Sequence, residues 1–461
     1  MKYSITIKED LYDQLKNHLL RSDGKERVGF LICGRAHVDN KLENFLTKEV
    51  ELLNDDQLLK SEASLVSWDN NHFIKILKKA ESKGFAVVLI HNHPSGFNQF
   101  SSTDDKGEYE LFQLAFNRNG GERPHGSLIL MPDGSLIGRV WKSNLETQSF
   151  DIIKVIGENI KLWYPNRLRN YDTPESFNRQ QLAFGKALVQ DLSKLTFTVV
   201  GAGATGSATA LMLARLGVGA INIIDKDTVE ESNLNRLHGA TIKDVGKNKV
   251  EVLKNSIDII GLKTIVNAHS DWVSTNKSIE LLKSSDIIFG CTDDNAGRIL
   301  LNRFAYFYLT PVIDMGLVIS VKNDPPEIQD LQGRISYLFP GSDCLLTKGV
   351  INTDLAYSEN LKRNSPDRYE SLKEEAYVLG EGNPAPSVVT FTTQVASVAI
   401  NEFLNRMQNF NVNGKAAHRI IFFHRGMELK PSNIKHNECR ICGDSYYWGR
   451  GDMNPFLDMA L

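Results

Sequence analysis

The chain has 461 residues, 41% hydrophobic and 24% charged, an ordinary folded composition with room for more than one core. A net charge of -3 and the lack of any apolar run near ~18 residues leave no reason to expect a nucleic-acid or membrane partner. The opening MKYSITIKEDLYDQL lacks the apolar core of a signal peptide, and five cysteines are too few for a disulfide scaffold, so a reducing cytoplasm is the expected location.

Residues 11–20 carry apolar side chains at helical spacing, 28–34 form an apolar run that predicts a buried strand, and 73–84 predict an amphipathic helix closed by Gly84. Residues 86–94 are apolar and stopped by a proline, and 126–142 predict a hairpin around Pro132-Asp133-Gly134. The apolar run ends in His91-Asn92-His93-Pro94, followed by Ser101-Ser102-Thr103-Asp104. Two histidines at i, i+2 on a strand end point the same way. With Asp104 they make three ligands suited to zinc, with a fourth position open. Zinc in such a site lowers the pKa of its water toward ~7. Glu26, ahead of the strand 28–34, is the candidate base, and Ser101 the candidate oxyanion donor.

An upstream glutamate, H-x-H-P and S-x-x-D together resemble the JAB/MPN (JAMM) metalloprotease family, which includes deubiquitinases and bacterial relatives. Asp104 stands thirteen residues after His91, at the family spacing, and is preferred over its neighbour Asp105. The resemblance covers about 1–145 and implies an α+β zinc hydrolase domain, assigned to 1–148. A metal-free structural domain is the alternative.

Residues 149–175, with Tyr164-Pro165-Asn166 and Asp172-Thr173-Pro174, read as a connector. From 176 the pattern changes. The stretch TFTVVGAGATGSATALMLARLGVGAINIIDKD reads strand, glycine turn, helix, strand: one βαβ unit of a parallel sheet. Gly201, Gly203 and Gly206 permit a tight turn and close approach to a phosphate at the helix N-terminus, and Asp225 ends the next strand where an acid can hold a ribose. Segments 264–270 and 286–294 predict further parallel strands; 350–385 is polar and reads as loop or lid; 386–407 predicts a long helix; 446–461 reads as a polar tail.

Taken alone, the glycine turn also fits an NAD-binding oxidoreductase. The residues that follow argue for a triphosphate: Asn233 and Arg236 within Ser232–Arg236, Lys249 after Gly246, and Asp293 after the strand 286–290. A cation pair neutralises phosphates, and a strand-end aspartate suits magnesium. These residues resemble the ThiF family of ubiquitin-activating enzymes and adenylyltransferases over about 176–445. The resemblance implies a Rossmann-like α/β domain that uses ATP with Mg2+. It places Gly203 in the nucleotide loop, Asp225 on the ribose, Asn233, Arg236 and Lys249 on phosphates, and Asp293 on magnesium. Phe177-Asn178-Arg179-Gln180 resembles the segment whose arginine reaches a partner's site, which implies a homodimer with Arg179 acting in trans.

Family members often carry two C-x-x-C pairs on a structural zinc. Here Cys439-Arg440-Ile441-Cys442 is intact, while only Cys344 remains of the first pair and Thr347 replaces its second cysteine. Three thiolates with His436 complete a tetrahedron, or the zinc is lost; the sequence leaves both open. Cys33 and Cys291 read as core thiols. No cysteine lies in 350–438, so Cys344 is the candidate for any thioester.

The expected protein is bifunctional. The first domain processes or removes a ubiquitin-like modifier, and the second adenylates its C-terminal glycine, with a conjugating enzyme as a further candidate partner. Such fusions resemble bacterial ubiquitin-like pathway proteins. The alternatives are processing and adenylation of a sulfur carrier for cofactor synthesis, and a non-catalytic module that binds a ubiquitin-like protein.

Overall fold

The computed structural model describes residues 1–453 apart from 39, 120, 166, 168–171, 324–325, 375–385 and 435–436. Contacts divide the chain into two units: Met1–Arg169 with Phe307–Leu309 and Tyr446–Leu461, and Asn170–Tyr306 with Thr310–Ser445.

In the first unit the chain runs β1 (Lys2–Lys8), α1 (Glu9–Leu19), β2 (Val28–Val38), β3 (Leu42–Leu52), β4 (Leu58–Ser61), β5 (Val66–Trp68), α2 (Asn70–Glu81), β6 (Ala86–Asn92), α3 (Ser102–Asn119), β7 (His125–Leu130), β8 (Leu136–Trp141), β9 (Thr147–Ser149), β10 (Ile152–Ile156) and β11 (Ile160–Trp163). All the strands but β4 and β5 form one nine-stranded sheet in the order β11-β10-β1-β3-β2-β6-β7-β8-β9. Side-chain alternation gives this sheet two apolar faces. In β2, Leu31 and Cys33 join one core while Val28, Phe30 and Ile32 join the other; in β6, Val88 and Ile90 oppose Val87 and Leu89. Leu11, Leu15 and Leu19 of α1 cover the first face, and Phe73 and Leu77 of α2 with Phe112 and Ala115 of α3 cover the second. Each such leucine or phenylalanine contributes about 1.5–3 kcal/mol on full burial.

This sheet extends past the expected boundary at 148. β10 pairs in parallel with β1, and β11 pairs antiparallel with β10, so much of the segment expected as a connector is sheet. Its signal was the alternation that buries Ile153 and Val155, weaker in sequence than the nearby Tyr-Pro and Thr-Pro pairs. Part of the expected tail also belongs to this unit. β6 pairs with β2 only as far as Cys33, and Gly451 takes the freed edge at Arg35. The Asp452 carboxylate accepts from the His37 amide at 2.7 Å. Backbone pairing of this kind leaves no apolar pattern to read.

The second unit runs α4 (Asn178–Lys194), β12 (Thr196–Val200), α5 (Ala204–Arg215), β13 (Ala220–Ile224), α6 (Lys249–Ile260), β14 (Ile265–His269), α7 (Asn276–Lys283), β15 (Ile287–Gly290), α8 (Asn295–Phe307), β16 (Val312–Asn323), β17 (Pro326–Leu338), α9 (Thr353–Asn364), α10 (Pro366–Glu374), α11 (Val389–Gln408), β18 (His418–Phe422) and β19 (Met427–Leu429). Its eight-stranded sheet has the order β14-β13-β12-β15-β16-β17-β18-β19. The pairs from β14 to β16 are parallel and those from β16 onward antiparallel. The chain moves outward from β12 to β14, then returns to the other side of β12 as β15. That reversal opens a crevice at the carboxyl ends of β12 and β15, the usual ligand position in such sheets.

The polar stretch expected as loop or lid contains two helices, α9 and α10. Asn352 starts α9, its side chain accepting from the Asp354 and Leu355 amides at 3.0 Å each. α9 buries little more than Ala356 and Ser358, which is why no apolar stripe announced it. The rest of that stretch, 375–385, lies outside the described residues.

Candidate active sites

In the first unit, β2 and β6 run antiparallel with Val28 opposite His91. The ladder is extended by Asn92, whose amide donates to the Arg27 carbonyl at 3.3 Å and whose Oδ1 accepts from the Arg27 amide at 2.6 Å. Asn92 Nδ2 also donates to the Lys25 carbonyl at 3.1 Å. Alternation then places Glu26, His91 and His93 on the face that α3 covers. The first turn of α3 is fixed by reciprocal capping: Ser101 Oγ accepts from the Asp104 amide at 3.1 Å, and Asp104 Oδ2 accepts from the Ser101 amide at 2.6 Å.

Three side chains converge there. His91 Nε2 and His93 Nε2 are 3.0 Å apart, and Asp104 oxygens lie 3.3 Å from the first and 3.5 Å from the second. His93 Nδ1 is 2.6 Å from the Phe97 carbonyl oxygen, which only accepts, so Nδ1 carries the proton and Nε2 of the neutral ring offers a lone pair. A lone pair held 3.0 Å from the neighbouring imidazole nitrogen and close to a carboxylate suits a divalent cation between them. Ligand atoms of all three residues lie within 4.8 Å of one another. The neighbouring Asp105 is not part of the group; its carboxylate pairs with Arg139 at 2.5 Å. Glu26 is buried, and that burial pushes its carboxyl up to about 6, with His91 and His93 opposing the shift. A base with that pKa is mostly ionised at neutral pH yet holds a proton transiently. Ser101 uses a lone pair in the cap and keeps its O–H to donate. Two supporting residues escaped the sequence reading. Asn92 locks the Glu26 strand to the histidine strand, and the buried Glu108 accepts from Ser127, Arg139 and Trp141, tying α3 to the sheet.

In the second unit, Gly201 adopts φ +93, and a Cβ there would meet the Cys291 carbonyl oxygen at 2.8 Å. A Cβ on Gly206 would meet the Gly201 carbonyl oxygen at 1.8 Å, so only glycine lets α5 sit this close to the turn. Around Gly203, the residue that precedes α5, a Cβ would meet nothing within 4 Å, an open floor beside a helix N-terminus. Asp225 accepts from the Ala202 amide at 2.6 Å and the Asp227 amide at 2.8 Å, which fastens β13 to the turn. Burial raises the Asp225 carboxyl, and Lys249 opposes that shift. Lys249 Nζ lies 3.0 Å from Asp227, and its amide donates to the Asp227 carbonyl at 3.0 Å, so the start of α6 is held beside Asp225. Asn233 is buried in a short turn, its Oδ1 accepting from the Glu230 amide at 3.3 Å, and Arg236 Nη1 donates to the Ser232 carbonyl at 2.6 Å.

After β15, Asp293 and Asp294 have different fates. Asp294 turns inward, accepting from Thr292 Oγ1 at 2.5 Å and from the Gly297 amide. Asp293 stays exposed in the loop that follows β15, its carboxylate open to a cation. The open floor at Gly203, beside a helix N-terminus and joined to Asp225 through the Ala202 amide, suits a phosphate group. Arg179 is exposed on α4, ahead of the break at Gly185, where φ is +81. Sequence reasoning missed Asp314, fully buried on β16 opposite Gly290, with Arg334 Nη2 at 2.6 Å and Arg298 Nε at 3.6 Å. Strand pairing brings Asp314 and Arg334 together, and Arg298 reaches the same carboxylate from α8.

The cysteines also separate. Cys344 Sγ is 3.7 Å from Cys439 Sγ, and the sulfurs of Cys344, Cys439 and Cys442 lie within 4.8 Å of one another. Thr347 Oγ1 is 3.8 Å from both Cys344 and Cys442 sulfurs. Three sulfurs of this type suit a closed zinc site. His436, the expected fourth ligand, lies outside the described residues. Cys344 is fully buried, a poor position for a nucleophile that must meet another protein. Burial pushes the Cys33 thiol up to about 12 and raises the Cys291 thiol as well, so both are held as neutral core groups.

Residues 177–441 match the ThiF family. The chain is 38% identical over 117 residues to the probable adenylyltransferase/sulfurtransferase MoeZ of Mycobacterium tuberculosis, spanning 25% of this chain and 29% of that protein. It is 31% identical over 149 residues to the adenylyltransferase and sulfurtransferase UBA4 of Meyerozyma guilliermondii, spanning 31% of this chain and 35% of that protein. The chain thus matches about a third of the length of these relatives. A crystal structure of E. coli MccB with ATP aligns at TM-score 0.45 and 18% identity, covering 60% of this chain and 77% of that one.

Proposed function

The chain belongs to the ThiF family, and from that premise we propose that its second unit adenylates the C-terminal carboxylate of a small glycine-ended protein. The observation that carries this reading is the glycine turn at the switch point of the sheet, with Asp225 and Lys249 on one side and Asp293 on the other. Amides at the start of α5 bind phosphate oxygens, Asp225 accepts from ribose hydroxyls, and Asn233, Arg236 and Lys249 neutralise the phosphates. Asp293 would hold Mg2+, which when bound draws charge from the pyrophosphate. A carboxylate oxygen of the protein substrate attacks the α-phosphorus; the bond to the bridging oxygen breaks and pyrophosphate leaves. Positioning and charge neutralisation carry such a step.

The first unit fits a JAB/MPN-type peptidase on the same substrate. Zinc held by His91, His93 and Asp104 would make water a nucleophile near neutral pH. Glu26 takes the proton of the attacking water and returns it to the leaving amine, while the Ser101 O–H donates to the carbonyl oxygen as charge develops there. In this reading the first unit trims or removes the modifier and the second activates the exposed glycine. The buried Cys344 then serves the zinc cluster with Cys439 and Cys442, and the adenylate passes to an acceptor on another protein, such as a conjugating enzyme. Arg179 acts across a homodimer. A sulfur-carrier pathway is the second reading, favoured by the adenylyltransferase/sulfurtransferase names of the relatives.

ATP–pyrophosphate exchange tests the adenylation. Exchange is expected only with a β-grasp protein ending in glycine and to vanish when that glycine is deleted. Exchange indifferent to the terminal residue would refute the reading.

A further inference from the structure

α9 joins two loops at the crevice. At its start the Asn352 amide donates to Asn295 Oδ1 at 3.0 Å. Further along, Glu359 accepts from the Ala296 amide at 2.8 Å and from Asn295 Nδ2 at 3.2 Å. In its last turn, the Arg363 guanidinium carbon lies 3.5 Å from the Trp272 ring centroid, and Nη1 lies 3.4 Å from Ser274 Oγ. Asn295 and Ala296 follow β15, whereas Trp272 and Ser274 follow β14. In the sheet, β13 and β12 lie between those two strands. A helix fastened to both flanking loops therefore crosses the carboxyl ends of β12 and β13, where the glycine turn and Asp225 stand.

The guanidinium is incompletely satisfied. Only 12% of the Arg363 side chain is exposed, and its nearest carboxylate oxygen, on Asp294, is 3.9 Å away. Arg363 Nε has no hydrogen-bond partner among the described residues. A second cation, Lys226 beside Asp225, places Nζ 4.5 Å from the same indole. Lys226 shares Asp227 with Lys249, at 2.7 and 3.0 Å, whereas Arg363 has no carboxylate that close among the described residues. A buried cation with a free N–H is stabilised by an acceptor arriving in the crevice. Trp272 lies on the β14 side of Asp225, away from the glycine turn, so that acceptor belongs to the nucleoside end of a nucleotide.

We propose that α9 covers the nucleotide crevice and that Arg363 is a nucleotide-contact residue for the adenosine end of ATP. This rests on the adenylation reading. In ATP–pyrophosphate exchange, Arg363→Ala raises the KM for ATP about tenfold, the loss of one charge-assisted hydrogen bond. It leaves kcat and the KM for pyrophosphate within about twofold, and Arg363→Lys falls in between. In the wild-type protein, a non-hydrolysable ATP analogue slows amide hydrogen exchange in residues 353–364. An unchanged KM for ATP in a folded Arg363→Ala, a rise in the KM for pyrophosphate instead, or α9 exchange indifferent to the analogue each overturns the proposal. Should the alanine variant fail to fold, the lysine variant and the wild-type exchange data decide. Wild-type protein that does not bind ATP removes the adenylation reading and the cover together; wild-type protein that binds ATP with an indifferent Arg363 removes the cover alone.

Discussion

Replacing His91 by alanine is expected to abolish peptide-bond hydrolysis, with a loss beyond about 10³-fold, since disturbing only the outer partners of metal ligands costs about 10–100-fold. In the proposed centre His91 is one of three converging side chains, its Nε2 lying 3.0 Å from His93 Nε2 and 3.3 Å from Asp104. Removing it leaves two ligands, too few for a catalytic zinc. Metal analysis separates this centre from the cysteine cluster. Wild type is expected to hold two zinc equivalents, with His91→Ala losing one and Cys439→Ala the other. Glu26→Gln keeps both zincs and loses hydrolysis, because the side chain that accepts the proton is gone while the ligands remain. ATP–pyrophosphate exchange stays at the wild-type level in His91→Ala and Glu26→Gln. Hydrolysis surviving in His91→Ala would rule out this centre as a peptidase site.

Lys249→Ala is expected to lower kcat for adenylation by about 10²–10³-fold, the usual effect of removing one preorganised group from developing charge. Lys249 is well covered, with 13% of its side chain exposed, and it pairs with Asp227 at 3.0 Å. Without it, Asp225 and Asp227 lose a cation that offsets both, and the crevice turns more negative toward a polyanionic substrate. The defect therefore combines a lost phosphate contact with added repulsion. Pyrophosphate exchange measures it, and peptide hydrolysis by the first unit serves as the unaffected control. A loss under about threefold would place Lys249 outside the phosphate site.

Residues close in sequence were the ones sequence could read. His91 and His93 share a strand end, and the capping pair Ser101 and Asp104 share one helical turn, so their spacing alone encoded the geometry. The glycine turn was legible for the same reason: a strand, three glycines and a helix within one βαβ unit. The choice between Asp104 and Asp105 rested on spacing, and in the structure it turns on which carboxylate Arg139 captures. Groups joined only by strand pairing stayed hidden, as with Asp314 and Arg334, or Asn92 and Arg27. Polar segments misled in a different way. β10 and β11 looked like connector because turn residues flank them, and α9 looked like loop because its stabilising contacts are hydrogen bonds at its cap and at Glu359 rather than an apolar stripe. Side-chain and backbone hydrogen bonds of that kind have no periodicity in sequence.

The reading of the crevice turns on which nucleotide the glycine turn accepts, since a strand, three glycines and an acid also suit a dinucleotide. Calorimetric titration of the full chain with ATP and Mg2+, and separately with NAD, decides it. ATP is expected to bind one site per second unit, with affinity weakened by Lys249→Ala, and NAD to give no heat above dilution. Saturable NAD binding with no response to ATP would contradict adenylation and leave Arg236, Lys249 and Asp293 without a role.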